Sequence, residues 1–183
     1  MHAVFPFLLL LQQVVAPGPP SPLAATTPAS GDTIGYWQQR ISYRVVARLD
    51  ETAENVHATA VLRYVNQSPD TLHEMYFHQY LNAFRPGSRW SAADAHEGRV
   101  RYQRMRDPDY GYERFTAVPT FDGTAVAPVY PLAPDSTVVR FALPQPLAPG
   151  DSVRIAMSWD ARPSANVYRR QGRRGREYDF AQW

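Results

Sequence analysis

The sequence predicts an all-β domain, an antiparallel β-sandwich with one long polar loop insertion. Three observations carry this expectation. From Tyr36 onward apolar residues recur at every second position, which places them on one face of an extended chain. Clusters of Gly, Pro, Asn and Asp divide these runs into short segments. No stretch of twelve or more residues repeats apolar positions at helical spacing, which argues against helix-rich and parallel α/β architectures. With 44% hydrophobic and 13% aromatic residues, the 183-residue chain can fill one core despite its 17 prolines.

The first strand is read from Ile41, Tyr43, Val45, Ala47 and Leu49, expected to face the core, alternating with Ser42, Arg44 and Arg48; Val46 is the one apolar residue on the polar side. Asp50 to Asn55 forms a turn. Val56, Ala58, Ala60, Leu62 and Tyr64 then alternate with His57, Thr59 and Arg63, completing a long hairpin. Asn66-Gln67-Ser68-Pro69-Asp70 is dense in turn formers and leads into a third strand, 72–81. Residues 82–114 make the insertion, polar and tyrosine-rich, with Trp90, Tyr102, Tyr110 and Tyr112. Asp122-Gly123 predicts a tight hairpin turn between strands at 116–121 and 124–130. Two further strands, 137–143 and 151–159, flank the Pro/Gly-rich stretch 144–150.

Ahead of the domain, Val4 to Leu11 is an apolar run too short to span a bilayer. It is followed by Pro/Ser/Ala-rich sequence. The expected organisation is a signal peptide at 1–16, a linker at 17–34 and the β-domain at 35–183, hence an exported protein, periplasmic or extracellular, or one anchored through its N-terminus. The n-region is thin, with His2 the only candidate positive side chain besides the amino terminus. No membrane span is expected in the mature chain.

All 19 basic residues are arginine, and the formal charge of +2 conceals a cluster at Arg169, Arg170, Arg173, Arg174 and Arg176. Such a run could attract nucleic acid by counterion release. It lacks helical spacing and has no companion basic face elsewhere in the sequence, so it reads as a solvated loop with no nucleic-acid partner. The absence of cysteine excludes disulfides, thiolate metal sites and a cysteine nucleophile.

No catalytic constellation emerges. His73-Glu74-Met75-Tyr76-Phe77-His78 is one residue longer than HExxH, in which histidines four apart converge on one zinc. Five apart they diverge by roughly 140° on a helix and point to opposite faces of a strand. His2, His57 and His96 lack partners at ligand spacing, so no metal or cofactor site is expected in this chain. No G-x-S-x-G elbow or phosphate-cradling glycine loop occurs, and Asp107-Pro108-Asp109 reads as a turn.

Several strings, in order, resemble the N-terminal domain of the aminopeptidase N-like zinc metallopeptidases, the gluzincin family. They are Tyr43 to Asp50, Ala58 to Asn66, Leu72 to His78 with Leu81-Asn82-Ala83-Phe84, Leu147 to Val153, and Tyr178-Asp179-Phe180-Ala181-Gln182-Trp183. The resemblance spans 35–183. It implies a saddle-like all-β domain preceding a zinc domain that carries a Gly-x-Met-Glu-Asn substrate loop and HExxH; neither motif is in this sequence. It further implies that Trp183 falls where the catalytic domain begins. Zinc, peptide substrate and catalytic residues then belong to the parent protein, and the chain's partner is its own downstream catalytic domain. Gln182 is the one candidate for the edge of the substrate cleft, its amide placed to bond a peptide's amino end. The competing expectation is a free-standing extracellular β-sandwich that binds carbohydrate or protein through aromatics of the 82–114 loop.

Overall fold

The computed structural model describes residues 36–165 and 171–180. The chain divides into two units, Met1–Tyr36 and Trp37–Trp183, and the second is the β-domain. The leader and linker expectations lie outside the described residues. No helix among those described is long and apolar enough to cross a membrane.

The predicted long hairpin forms as β1 (Arg40–Asp50) and β2 (Asn55–Val65), paired antiparallel along their full length. β3 (Leu72–His78) follows, then a short 3-10 turn (Tyr80–Ala83) and an eight-residue helix α1 (Arg89–His96). Then come β4 (Tyr112–Phe115), β5 (Thr120–Phe121), β6 (Thr124–Ala125), β7 (Val138–Leu147), β8 (Ser152–Arg162), β9 (Gln171–Arg174) and β10 (Glu177–Phe180). The large sheet runs β1-β2-β8-β5-β6, with β4 also on β8; β3 and β7 form a second sheet and β9 and β10 a separate hairpin. Every strand pairing is antiparallel, so the molecule is the all-β sandwich the alternation predicts.

The core lies between the sheets. Leu62, Phe121, Val153 and Ile155 of the large sheet meet Met75, Val139, Phe141 and Leu147 of the small one, with Phe141 and Ile155 fully excluded from solvent. Phe77, Phe115 and Phe121 ring Phe141 at centroid distances of 5.8, 5.8 and 5.3 Å, edge-on or tilted. Asn66, itself fully buried, orders the turn between β2 and β3. Its Nδ2 donates to the carbonyls of Asp70 and Leu147 (2.8 and 2.9 Å), while its Oδ1 accepts from the Ser68 amide and hydroxyl.

Five sequence expectations need correction. The face of β1 expected in the core is exposed: Tyr43, Val45 and Leu49 show 63, 45 and 41% of their surface, although their partners Leu62, Ala60 and Val56 are buried. The core-facing row continues onto an edge strand that the small sheet does not cover. The 82–114 segment is not an irregular loop, because it contains α1 and its ends belong to the 3-10 turn and β4. The strand expected to reach 81 stops at His78, and those expected at 116–121 and 124–130 shrink to two residues each. Finally, the described part of the arginine run is a hairpin. Gly175 takes φ +59° at its turn, and Arg173, nearly buried, donates to Glu54 at 2.7 Å. A second basic face also exists: Arg40, Arg44 and Arg48 on β1, Arg63 on β2 and Arg154 on β8 share the outer side of the large sheet, with Arg63 directly opposite Arg154.

Candidate functional site

Two places combine chemistry with geometry: the ordered segment after β3 with the cavity it helps to line, and the uncovered row of β1.

The segment is organised by buried polar groups. Asn82, 1% exposed, donates through Nδ2 to the carbonyls of Glu113 and Ser136 (3.1 and 2.9 Å) and accepts the Glu113 amide on Oδ1 at 2.9 Å. One side chain thus ties the 3-10 turn to β4 and to the approach to β7. Glu113 answers by accepting the Leu81 amide on Oε2 at 3.3 Å. The start of α1 is held by Ser88, whose Oγ accepts the Ser91 amide, and by Asp135, which accepts the Arg89 amide at 2.8 Å. Beyond the helix, Asp94 is buried and receives both Arg99 and Arg101; Arg101 foremost holds its carboxyl well below the usual range.

These contacts place the aromatics of the insertion. Tyr102 is fully buried, at 5.7 Å from Phe84 edge-on, and Tyr112 is buried as well, its ring under Arg114 at 4.0 Å. Arg85 and Arg114 both lie against the Tyr110 ring. Trp90 is 38% exposed. Tyr102, Tyr110 and Tyr112, which would have offered stacking platforms to a glycan, are engaged in holding the segment down.

The cavity, about 140 Å³, opens between the sheets and is lined by Phe77, His78, Gln79, Glu113, Phe115, Met157 and Trp159. Strand periodicity builds it. Glu113 and Phe115, two apart on β4, share its inner face; Trp159 is directly opposite Phe115 on β8, and Met157 is two residues from Trp159. Phe77 comes from the facing sheet. Glu113 is 5% exposed with no guanidinium among the described residues paired to its carboxyl, and burial pushes that carboxyl up to about 8. A larger cleft of about 460 Å³ lies at the other end of β8 among Pro144, Gln145 and Pro146. Its Asp122 accepts the Arg154 amide at 3.0 Å, and Asp151 and Ser152 also line it.

Of the residues weighed in the sequence, Gln182 lies outside the described residues, as does His2. His73 and His78 are both exposed and do not converge; His78 instead stacks on Tyr80 at 4.8 Å with planes 7° apart. His57 pairs across strands with Asp160 at 2.6 Å, and His96 ends α1. Asp107 to Asp109 forms a turn. Among the described residues no three His, Cys, Asp or Glu side chains group as metal ligands. Glu113 is the residue that sequence reading passed over. Its only signal was a carboxylate at an inward position of the alternation Glu113, Phe115, inside a segment treated as loop.

Neither a protein-family model nor a curated protein matches the chain. Among solved structures it is similar to an M1 zinc metallopeptidase from Deinococcus radiodurans, with TM-score 0.34 and 14% identity over 61% of this chain and 17% of that one. A mutant of that peptidase, E323A, bound to a Tyr-Ser-Ala substrate, gives TM-score 0.36 and 15% identity over 69% of this chain and 20% of that one. This chain therefore spans no more than a fifth of the length of the structures it is matched to. The likeness transfers no residue role.

Proposed function

We propose that this chain is the N-terminal, non-catalytic β-domain of an exported zinc metallopeptidase of the aminopeptidase type, bracing and helping to shape the peptide cleft of a downstream catalytic domain. The observation that carries this reading is the uncovered row on β1. Burial is nearly complete along β2, at Val56, Ala58, Ala60 and Leu62, and ends one strand over, where Tyr43, Val45 and Leu49 face solvent on the same side of the sheet. A sheet that carries its core pattern past its own cover suits a domain that completes its packing against a neighbour.

The sequence strings support the same reading, because they fall in order on β1, on β2, on β3 with its 3-10 turn, on the β7–β8 junction and on β10. Zinc would be held by the downstream domain and would supply a polarised water for peptide hydrolysis there. In this reading Gln182 stands at the cleft edge and offers its amide to a peptide's amino end.

The test begins with the reading frame beyond Trp183, which should encode HExxH. Protein expressed from the whole frame should then contain stoichiometric zinc and hydrolyse aminoacyl p-nitroanilides, with activity lost to a chelator. Gln182→Ala should raise KM more than it lowers kcat. A frame without HExxH, or a zinc-free protein without hydrolysis, sinks the proposal.

A further inference from the structure

The cavity at the β3–β4–β8 junction lies at the margin of the sandwich core, which shares its Phe77, Phe115 and Met157, and its buried carboxylate is one that the peptidase reading does not use; its ligand chemistry is independent of that reading. Three aromatic rings, Phe77, Phe115 and Trp159, line it together with Met157, and Glu113 is the carboxylate in this lining. One carboxylate oxygen, Oε2, accepts the Leu81 amide; Oε1 has no hydrogen-bond partner among the described residues. Glu113 is exposed by only 5% and lines both this cavity and the neighbouring cleft, and a carboxylate so buried with one oxygen unpartnered lacks a counter-charge.

We propose that this cavity is a binding site for an alkylammonium cation, with the free oxygen of Glu113 as counter-charge and Phe77, Phe115 and Trp159 as cation–π walls. Aromatic rings and a soft thioether in the lining suit a cation with an apolar surface. The cavity holds roughly the volume of four or five waters, enough for a small ammonium head group. A guanidinium is the poorer fit. Its planar fork seeks both oxygens of a carboxylate, and Leu81 already occupies one.

The site couples to pH. His78 lines the same cavity, and Arg85, Arg114, Tyr130 and Asp135 line the cleft behind Glu113. With the Glu113 carboxyl raised to about 8, its ionised fraction, and so the affinity, rises about tenfold from pH 7 to pH 9. His78→Gln should leave that rise in place if it belongs to Glu113.

The test uses the full 183-residue chain labelled with nitrogen-15, titrated with tetramethylammonium chloride while the indole signal of Trp159, assigned through Trp159→Phe, is followed. Expected are a saturable shift that strengthens towards pH 9, none from sodium chloride at equal ionic strength, and at least tenfold weaker binding in Glu113→Gln. Tert-butanol, a neutral molecule of similar shape, should bind at least tenfold more weakly than the cation. No saturable shift, equal affinity for tert-butanol, tighter binding of methylguanidinium, or unchanged affinity in Glu113→Gln would each overturn the proposal. If Glu113→Gln does not fold, Trp159→Leu replaces it, with binding followed in both proteins through the backbone amide of Phe115: the carboxylate stays, a cation–π wall goes, and unchanged affinity for tetramethylammonium overturns the assignment.

Discussion

Glu113 and Asn66 show how single buried polar groups govern this domain in opposite ways. The Glu113 carboxyl lies near 4.5 in the unfolded chain and about 8 in the folded one. Between those values the folded state holds a proton that the unfolded state has released, so folding stability falls as pH rises across that window and levels off above it. The slope approaches about 1.4 kcal/mol per pH unit at its steepest. Urea melts at a series of pH values should therefore show Glu113→Gln gaining on the wild type from pH 5 to 8; a difference independent of pH would contradict the burial of this carboxyl. Asn66 is buried and satisfied on both ends of its amide. Asn66→Ala strands the Leu147 carbonyl and the Ser68 donors, and should cost about 2–3 kcal/mol in the same measurement. The turn at 66–70 was legible because Asn, Ser, Pro and Asp act locally. The partner at Leu147 was not, since it is 81 residues away in sequence.

At the scale of elements, the outcomes separate by length and by charge. The long strands β1, β2 and β8 and the first part of β7 were legible because period-two alternation over about seven residues or more has no helical counterpart, whereas the end of β7, 144–147, reads as part of a Pro/Gly-rich separator. α1 was not, since its eight residues carry no apolar stripe; its only local signal was Ser88 at the N-cap. The hairpin β9–β10 was hidden by its arginines, which look solvated until a long-range carboxylate is known. Glu54 lies in the β1–β2 turn and accepts both Arg162 (3.0 Å) and Arg173 (2.7 Å), Arg162 foremost holding its carboxyl below the usual range. Because that pKa is lowered in the folded state, the contribution is present above the ordinary carboxylate range and is lost as pH falls through the folded value. Glu54→Gln removes the counter-charge from a nearly buried Arg173, and should cost on the order of 1–2 kcal/mol after discounting for the partly exposed carboxylate. Limited trypsin digestion should then cut at Arg173 or Arg174 well before the rest of the domain; unchanged resistance would mean that the hairpin is held by other contacts.

At the scale of the molecule, one aromatic cluster joins the two sheets. Phe141→Ala removes the ring that Phe77, Phe115 and Phe121 surround and should cost about 3–5 kcal/mol, seen as a lowered midpoint of a single unfolding transition. That the fold is a sandwich could be read from the sequence, whereas which strand lies at its edge could not. Alternation reports which side chains share a face, and only the register and the extent of the second sheet decide where cover ends. For this reason the row from Ile41 to Leu49, expected in the core, is open. Its arginines at 40, 44 and 48, on the opposite face of β1, are the kind of charge that keeps an exposed edge strand from pairing with other chains. In the proposed function a downstream domain covers this row. Amide hydrogen exchange along 41–49, compared between the 183-residue chain and the protein expressed from the whole reading frame, tests it directly. Exchange should be at least tenfold slower in the longer protein, with the slowing confined to β1 and its neighbours; equal exchange in the two would contradict the claim.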